Sequence, residues 1–171
     1  LSLHDALPIL SNALCRYALV EIVNLHSPAL EFEAIHRIVT DVDTKALMSE
    51  MTAALELSEE KAEQAIVVCD NGEEKTLYIH KPTSKLTVGS LQNFLDSYIK
   101  EKGGKVDYIH GAEVIRELSA KENSIGFMLP DMGKEELFPT VIVDGALPRK
   151  TFSMGHAEDK RFYVEARKIL K

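Results

Sequence analysis

Apolar and polar positions along the chain fall into short runs of two kinds, and their order predicts an α+β protein. Residues 16–24 (RYALVEIVN), rich in Val, Ile, Tyr and Leu, read as a buried strand. Pro28 breaks that run, because proline removes a ladder donor and turns its predecessor away from the helical region. Residues 30–40 (LEFEAIHRIVT) put Phe32, Ala34 and Ile38 on one parity, as a short strand or extended loop does. Asp43 is placed to cap a helix from Thr44 to about Leu57, with Leu47, Met48, Met51, Ala54 and Leu55 on one face. The acids of Ser58-Glu59-Glu60 predict a second, short helix. The runs at 66–69 and 76–79 flank Asp70-Asn71-Gly72, a hairpin whose Asn-Gly pair supplies the positive φ of a tight turn.

The clearest helix covers Val88 to Lys102. Val88, Leu91, Phe94, Leu95, Tyr98 and Ile99 share a face, and Gly103-Gly104 end it. A strand over 105–109, a helix over 112–121 with Val114, Ile115 and Leu118 inward, and a strand over 124–128 follow. Lys134 to Phe138 reads as one helical turn, Thr140 to Val143 as extended, Asp144-Gly145 as a turn, and Phe162 to Ile169 as a last strand or a helix. Elements of both kinds without regular βαβ alternation predict a mixed sheet with helices packed on it.

Composition narrows the function more than the fold. With 171 residues, 45% of them hydrophobic and 27% charged, the chain suits one ordinary domain with a sizeable core. Its net charge of -7 disfavours a nucleic-acid partner, which draws on clustered Lys and Arg. The charge is uneven: from Arg149 onward seven Lys or Arg face three Asp or Glu, and before it thirteen face twenty-four. Cys15 and Cys69 lie far apart without a metal-ligand spacing, so neither a disulfide framework nor a metal site is indicated, and a cytoplasmic protein is expected. No apolar run is long enough to span a membrane. Residues 1–9 (LSLHDALPI) match the conceptual translation of a common sequencing adapter and are set aside. Residues 10–171 are then expected to be the C-terminal part of a single α+β domain whose N-terminal half is missing.

Three stretches carry candidate chemistry. The densest, PRKTFSMGHAEDKR from Pro148, combines Arg149, Lys150, Thr151, Gly155 and His156 in a pattern suited to gripping a small anion, the alternative being a basic arm that pairs with the acidic remainder of the chain. Its glycine and lysine are not in Walker order. His110-Gly111 stands where a strand gives way to a helix: Gly111 lets an anion approach unpaired amides, and His110 can move a proton. A capped turn explains the same residues. Arg37, beside His36, offers a bidentate clamp for phosphate or a surface ion pair with Glu31 or Glu33.

NLHSPALEFEAIHRIV, LQNFLDSYIKEKGGKVDYIHG and ALPRKTFSMGHAEDKRFYVEARKI together resemble, in that order, the C-terminal half of the prokaryotic proteins catalogued as domain of unknown function 1015. The resemblance covers residues 16–170 and implies a larger ParB/sulfiredoxin-like protein. Its other half carries an Asp-Gly-His-His-Arg motif, which this sequence lacks. Related ParB-like proteins include nucleotide-dependent kinases of free serine. The resemblance therefore implies a kinase of a hydroxyl amino acid using ATP or ADP with Mg2+, and a non-catalytic nucleotide-binding or regulatory module is the alternative. His36, Arg37, Gly111, Arg149, Lys150, Thr151 and Gly155 are the expected phosphate and substrate contacts, and His110 and His156 the expected acid/base groups. Arg37, His110 and Lys150 should then converge on one cleft.

Overall fold

The computed structural model describes residues 22, 24–28 and 30–155. The strand expected at 16–24, save Ile22 and Asn24, the element expected at 162–169, and His156 lie outside the described residues. Eight strands are seen in them: β1 (Phe32–Ala34), β2 (His36–Thr40), β3 (Leu57–Ser58), β4 (Gln64–Asp70), β5 (Glu73–Ile79), β6 (Lys105–Ile109), β7 (Ser124–Met128) and β8 (Phe152–Met154). The helices are α1 (Thr44–Leu55), α2 (Thr87–Lys102), α3 (Ala112–Ser119) and α4 (Leu137–Asp144), the last entered through a 3-10 turn at Lys134–Glu136. The protein is α+β. Six strands form one sheet in the order β3-β5-β4-β7-β2-β6, and β1 pairs with β8 in a separate ribbon. Every pairing among the described residues is antiparallel.

The centre of the sheet is buried on both faces, which explains why β7 is buried at every position. On one face α1 and α2 press Leu47, Met51, Leu55, Leu91 and Leu95 against Val39, Ile66, Val68, Ile125 and Phe127. On the other, Ile115 of α3 meets Ile38, Cys69 and Met128. Successive residues of a strand point to opposite faces, so Arg37 and Val39 belong to the α1/α2 layer, and His36 and Ile38 to the α3 side.

Asp43 caps α1 by accepting from the amides of Lys45 and Ala46, both at 3.0 Å. The hairpin turns at Asn71 and Gly72, with φ of 49° and 80°. Four expectations give way. The helix at Ser58 is absent: Glu56 turns left-handed at φ 52°, Leu57–Ser58 joins the edge of β5, and the Ser58 hydroxyl takes the Glu60 amide. Residues 140–143 are helical in α4, because the turn at 134–136 feeds the chain into a helix that Gly145 ends at φ 80°. The β-branched Val141-Ile142-Val143 favoured a strand only as a weak propensity. Val114 faces solvent, Ile115 taking the inward position, and Ala54 is exposed on the flank of α1.

Candidate functional site: a cavity at the start of α3

The end of β6 delivers His110 and Gly111 to the start of α3, as the strand-to-helix reading expects. Gly111 occupies the N-cap position at φ 82°, a conformation glycine adopts without strain. No side chain caps this helix, so its first amides face outward. They look onto a cavity of about 780 Å3 whose lining includes Glu31, Glu33, His36, Gly111, Asp131 and Lys134.

His36 reaches this cavity because it lies on the α3 side of β2. Its Nδ1 accepts the Leu129 amide at 3.2 Å, so the neutral ring carries its proton on Nε2. Burial holds its pKa below the ordinary 6.5, with Asp131 opposing and Arg37 reinforcing the shift. His36 is therefore suited to donate a hydrogen bond and poorly suited to take a second proton. His110 adjoins the same wall: its Nδ1 lies 3.7 Å from Glu33 Oε2. Asp131 is fixed by accepting the Ala34 amide at 2.8 Å, and the Lys134 ammonium donates to the Ser27 carbonyl at 2.7 Å. The cavity thus pairs helix-terminal amides and the His36 imidazole with several carboxylates, with His110 adjoining through Glu33. Among the described residues no group of three His, Cys, Asp or Glu is arranged to hold a metal ion.

Arg37 is fully buried on the opposite face of the sheet. Its Nε donates to Gln92 Oε1 at 3.0 Å, Nη1 to the Ile35 carbonyl, and Nη2 to the Arg149 carbonyl at 3.1 Å. Tyr108 lies under the guanidinium, 4.8 Å from its ring centre. Burial pushes the Arg37 pKa down to about 10, Tyr108 opposing and Arg149 adding to the shift, so it stays charged at neutral pH.

A family model now fits onto this geometry. The family described as "Protein of unknown function (DUF1015)" matches residues 5–98, more than half of the chain. The chain belongs to the DUF1015 family. No curated protein matches it by sequence. Among solved structures, a conserved hypothetical protein from Pyrococcus furiosus superposes with a TM-score of 0.61 at 16% identity, over 80% of this chain and 61% of that one. A mutant free serine kinase in complex with AMP superposes with a TM-score of 0.60 at 19% identity, over 79% of this chain and 58% of that one. The same kinase in complex with ADP gives 0.59, with equal identity and coverage. These likenesses establish a shared fold. This DUF1015 chain spans about three fifths of the length of the solved structures it matches.

The expected site residues divide among three places in this DUF1015 chain. His36 and Gly111 line the large cavity and His110 adjoins it through Glu33. Thr151 lines a second, smaller cavity and donates to the Pro148 carbonyl at 2.6 Å. Arg149, Lys150 and Gly155 line neither. Arg149 stacks over Tyr108 at 5.5 Å and reaches Asp96 at 3.6 Å. Lys150 sits exposed in the turn at φ 56°, and the Gly155 amide donates to the Glu31 carbonyl at 2.9 Å. Arg37, His110 and Lys150 do not share a cleft. Asp131 was passed over in the sequence, where only its Pro-Asp-Met-Gly loop marked it.

Proposed function

We propose that this chain carries part of the active site of a nucleotide-dependent kinase of a small hydroxyl compound, a hydroxyl amino acid in the first instance. The observation carrying this reading is the His110–Glu33 pair beside the uncapped start of α3, on a fold shared with a free serine kinase in complex with AMP and with ADP. Phosphoryl transfer depends mainly on positioning and charge neutralisation. The Gly111 and Ala112 amides and the His36 Nε2 proton would hold phosphate oxygens. His110, whose Nδ1 lies 3.7 Å from Glu33 Oε2, would take the hydroxyl proton. Mg2+ bound with nucleotide phosphates requires only one or two protein carboxylates; Glu33 and Asp131 would supply them, and the ion would neutralise phosphate charge. Arg37 touches none of these groups. The reading keeps residues 10–171 as the C-terminal part of one α+β domain in a cytoplasmic protein, with upstream chain completing the site.

The test is phosphoserine formation by protein extended to its complete reading frame, given serine with ADP or ATP and Mg2+. Product is expected, and His110→Gln should lower kcat about a hundredfold. A second reading, a non-catalytic nucleotide-binding or regulatory module, is favoured by one observation: Arg37, an expected phosphate contact, is fully buried and committed to protein partners. Nucleotide binding without product in every pairing would select it. Absence of nucleotide binding would sink both readings.

A further inference from the structure

We infer that the smaller cavity, at the start of α2, is a separate binding site for a small zwitterion that carries a carboxylate next to an ammonium. Its volume of about 240 Å3 is below the roughly 300–1,000 Å3 of sites for drug-sized ligands, too small for a nucleotide and sufficient for a molecule of a few heavy atoms. One wall is made of donors. Leu86 occupies the N-cap position of α2 and contributes no side-chain cap. The Thr87 and Val88 amides, first in the helix, therefore have no intrahelical acceptor, and both residues line the cavity. The helix dipole places partial positive charge there.

Other lining residues supply acceptors. Gln64, 6% exposed, lines the cavity. Its Nε2 donates to the carbonyls of Ser84 at 2.8 Å and Lys85 at 3.1 Å, which fixes the amide and leaves Oε1 a buried acceptor without a partner. A buried acceptor left unpaired is costly, and a ligand donor would relieve it. Glu63, Asp131 and Glu136 also line the cavity, against Lys85 as its one cationic lining residue. That balance opposes a bare anion such as phosphate. It suits a ligand whose carboxylate meets the α2 amides and whose ammonium meets Gln64 Oε1 and the carboxylates. The two cavities share Pro130, Asp131 and Met132 in their linings, but the inference uses no step of the phosphoryl-transfer reading.

Glycine is the probe, because it has both charged groups and no hydroxyl to phosphorylate. Titrating the full chain with glycine, acetate, methylammonium and inorganic phosphate, and following backbone amides by NMR, tests the assignment. Glycine should shift the Thr87 and Val88 amides saturably, and each other probe should bind at least about tenfold more weakly. Two variants locate the contacts. Gln64→Leu removes the acceptor. Thr87→Pro removes one amide at a position where helices accept proline, and Leu86, at φ -99° and ψ 144°, already has the extended conformation proline requires before it. Each should weaken glycine about tenfold in a protein that remains folded. Absence of a saturable shift at Thr87 and Val88, phosphate binding tighter than glycine, or glycine affinity unchanged by Thr87→Pro would overturn the inference.

Discussion

A guanidinium taken out of water must find acceptors in the protein, and Arg37 finds Gln92 and two backbone carbonyls. Removing it leaves those acceptors buried and a cavity behind. Arg37→Ala should therefore lower stability by about 2–4 kcal/mol, read from the urea midpoint at unchanged m-value. Arg37→Lys should recover little of this, since one ammonium cannot reproduce a planar fork. The residue type was legible as an anion clamp or an ion pair. Its burial was not, because the face that each residue of 30–40 takes depends on a break in parity at Ile35, between β1 and β2. His36 supports a second prediction. Its folded pKa lies below the ordinary 6.5, so the unfolded chain takes up the proton first on acidification. Its contribution to stability is present above about pH 6.5 and is lost as pH falls through that value toward the folded pKa. Unfolding free energy measured from pH 7.5 to 5 should fall less steeply in His36→Gln than in the unaltered protein, with the carboxylates as a common background.

Single positions also decide how elements meet. Gly126 lies in the middle of β7, and a Cβ there would stand 2.6 Å from Ile115 Cγ2 and 3.3 Å from Ser119 Cβ. Gly126→Ala should push α3 off the sheet and cost about 1–3 kcal/mol by thermal unfolding. Adding Ile115→Ala should cost less in that background than alone, because the second change makes room for the first. A strictly additive pair would argue against this contact. Elements with strong local signals were legible: the Asn-Gly hairpin, the Asp43 cap and the apolar face of α2 depend on residues within a few positions of one another. The misread elements depend on distant partners. Leu57–Ser58 is a strand because β5 offers it an edge. Residues 137–144 are held in place at their C-terminal end by Asp144, which accepts from the Ser84 hydroxyl and the Lys85 amide, both at 2.7 Å. No local window contains those contacts.

Across the whole molecule, α+β packing was legible from element order, while the assembly of the site was not. PRKTFSMGHAEDKR looked like one cradle by composition, yet its described part is drawn into turn, strand and stacking contacts: the Thr151 hydroxyl closes the turn, Phe152 stacks on Phe32 at 4.1 Å, and β8 pairs with β1. Cys69 is buried between β4 and α3, where burial first, and then Glu74, push its thiol up to about 11, so it behaves as a small apolar side chain. No helix among the described residues is long and apolar enough to cross a membrane.

The pairing of β1 with β8 joins Phe32 to Met154 and Ala34 to Phe152. Closing so long a loop has an entropic cost that the ladder bonds, the Phe32–Phe152 stack and the burial of Phe32 and Ala34 oppose. The ribbon should be the last part of the molecule to form and the first to open. In hydrogen exchange, the Gly155 amide and those of β8 should exchange through local opening well before β2, β4 and β7, which exchange only with global unfolding. Glu33 belongs to this ribbon, paired with Ser153, and the Glu31 carbonyl accepts from the Gly155 amide; both glutamates line the large cavity. The cavity's rim should therefore open and close with this ribbon, and a ligand that bridges the rim to His36 should slow exchange in β8 without touching it.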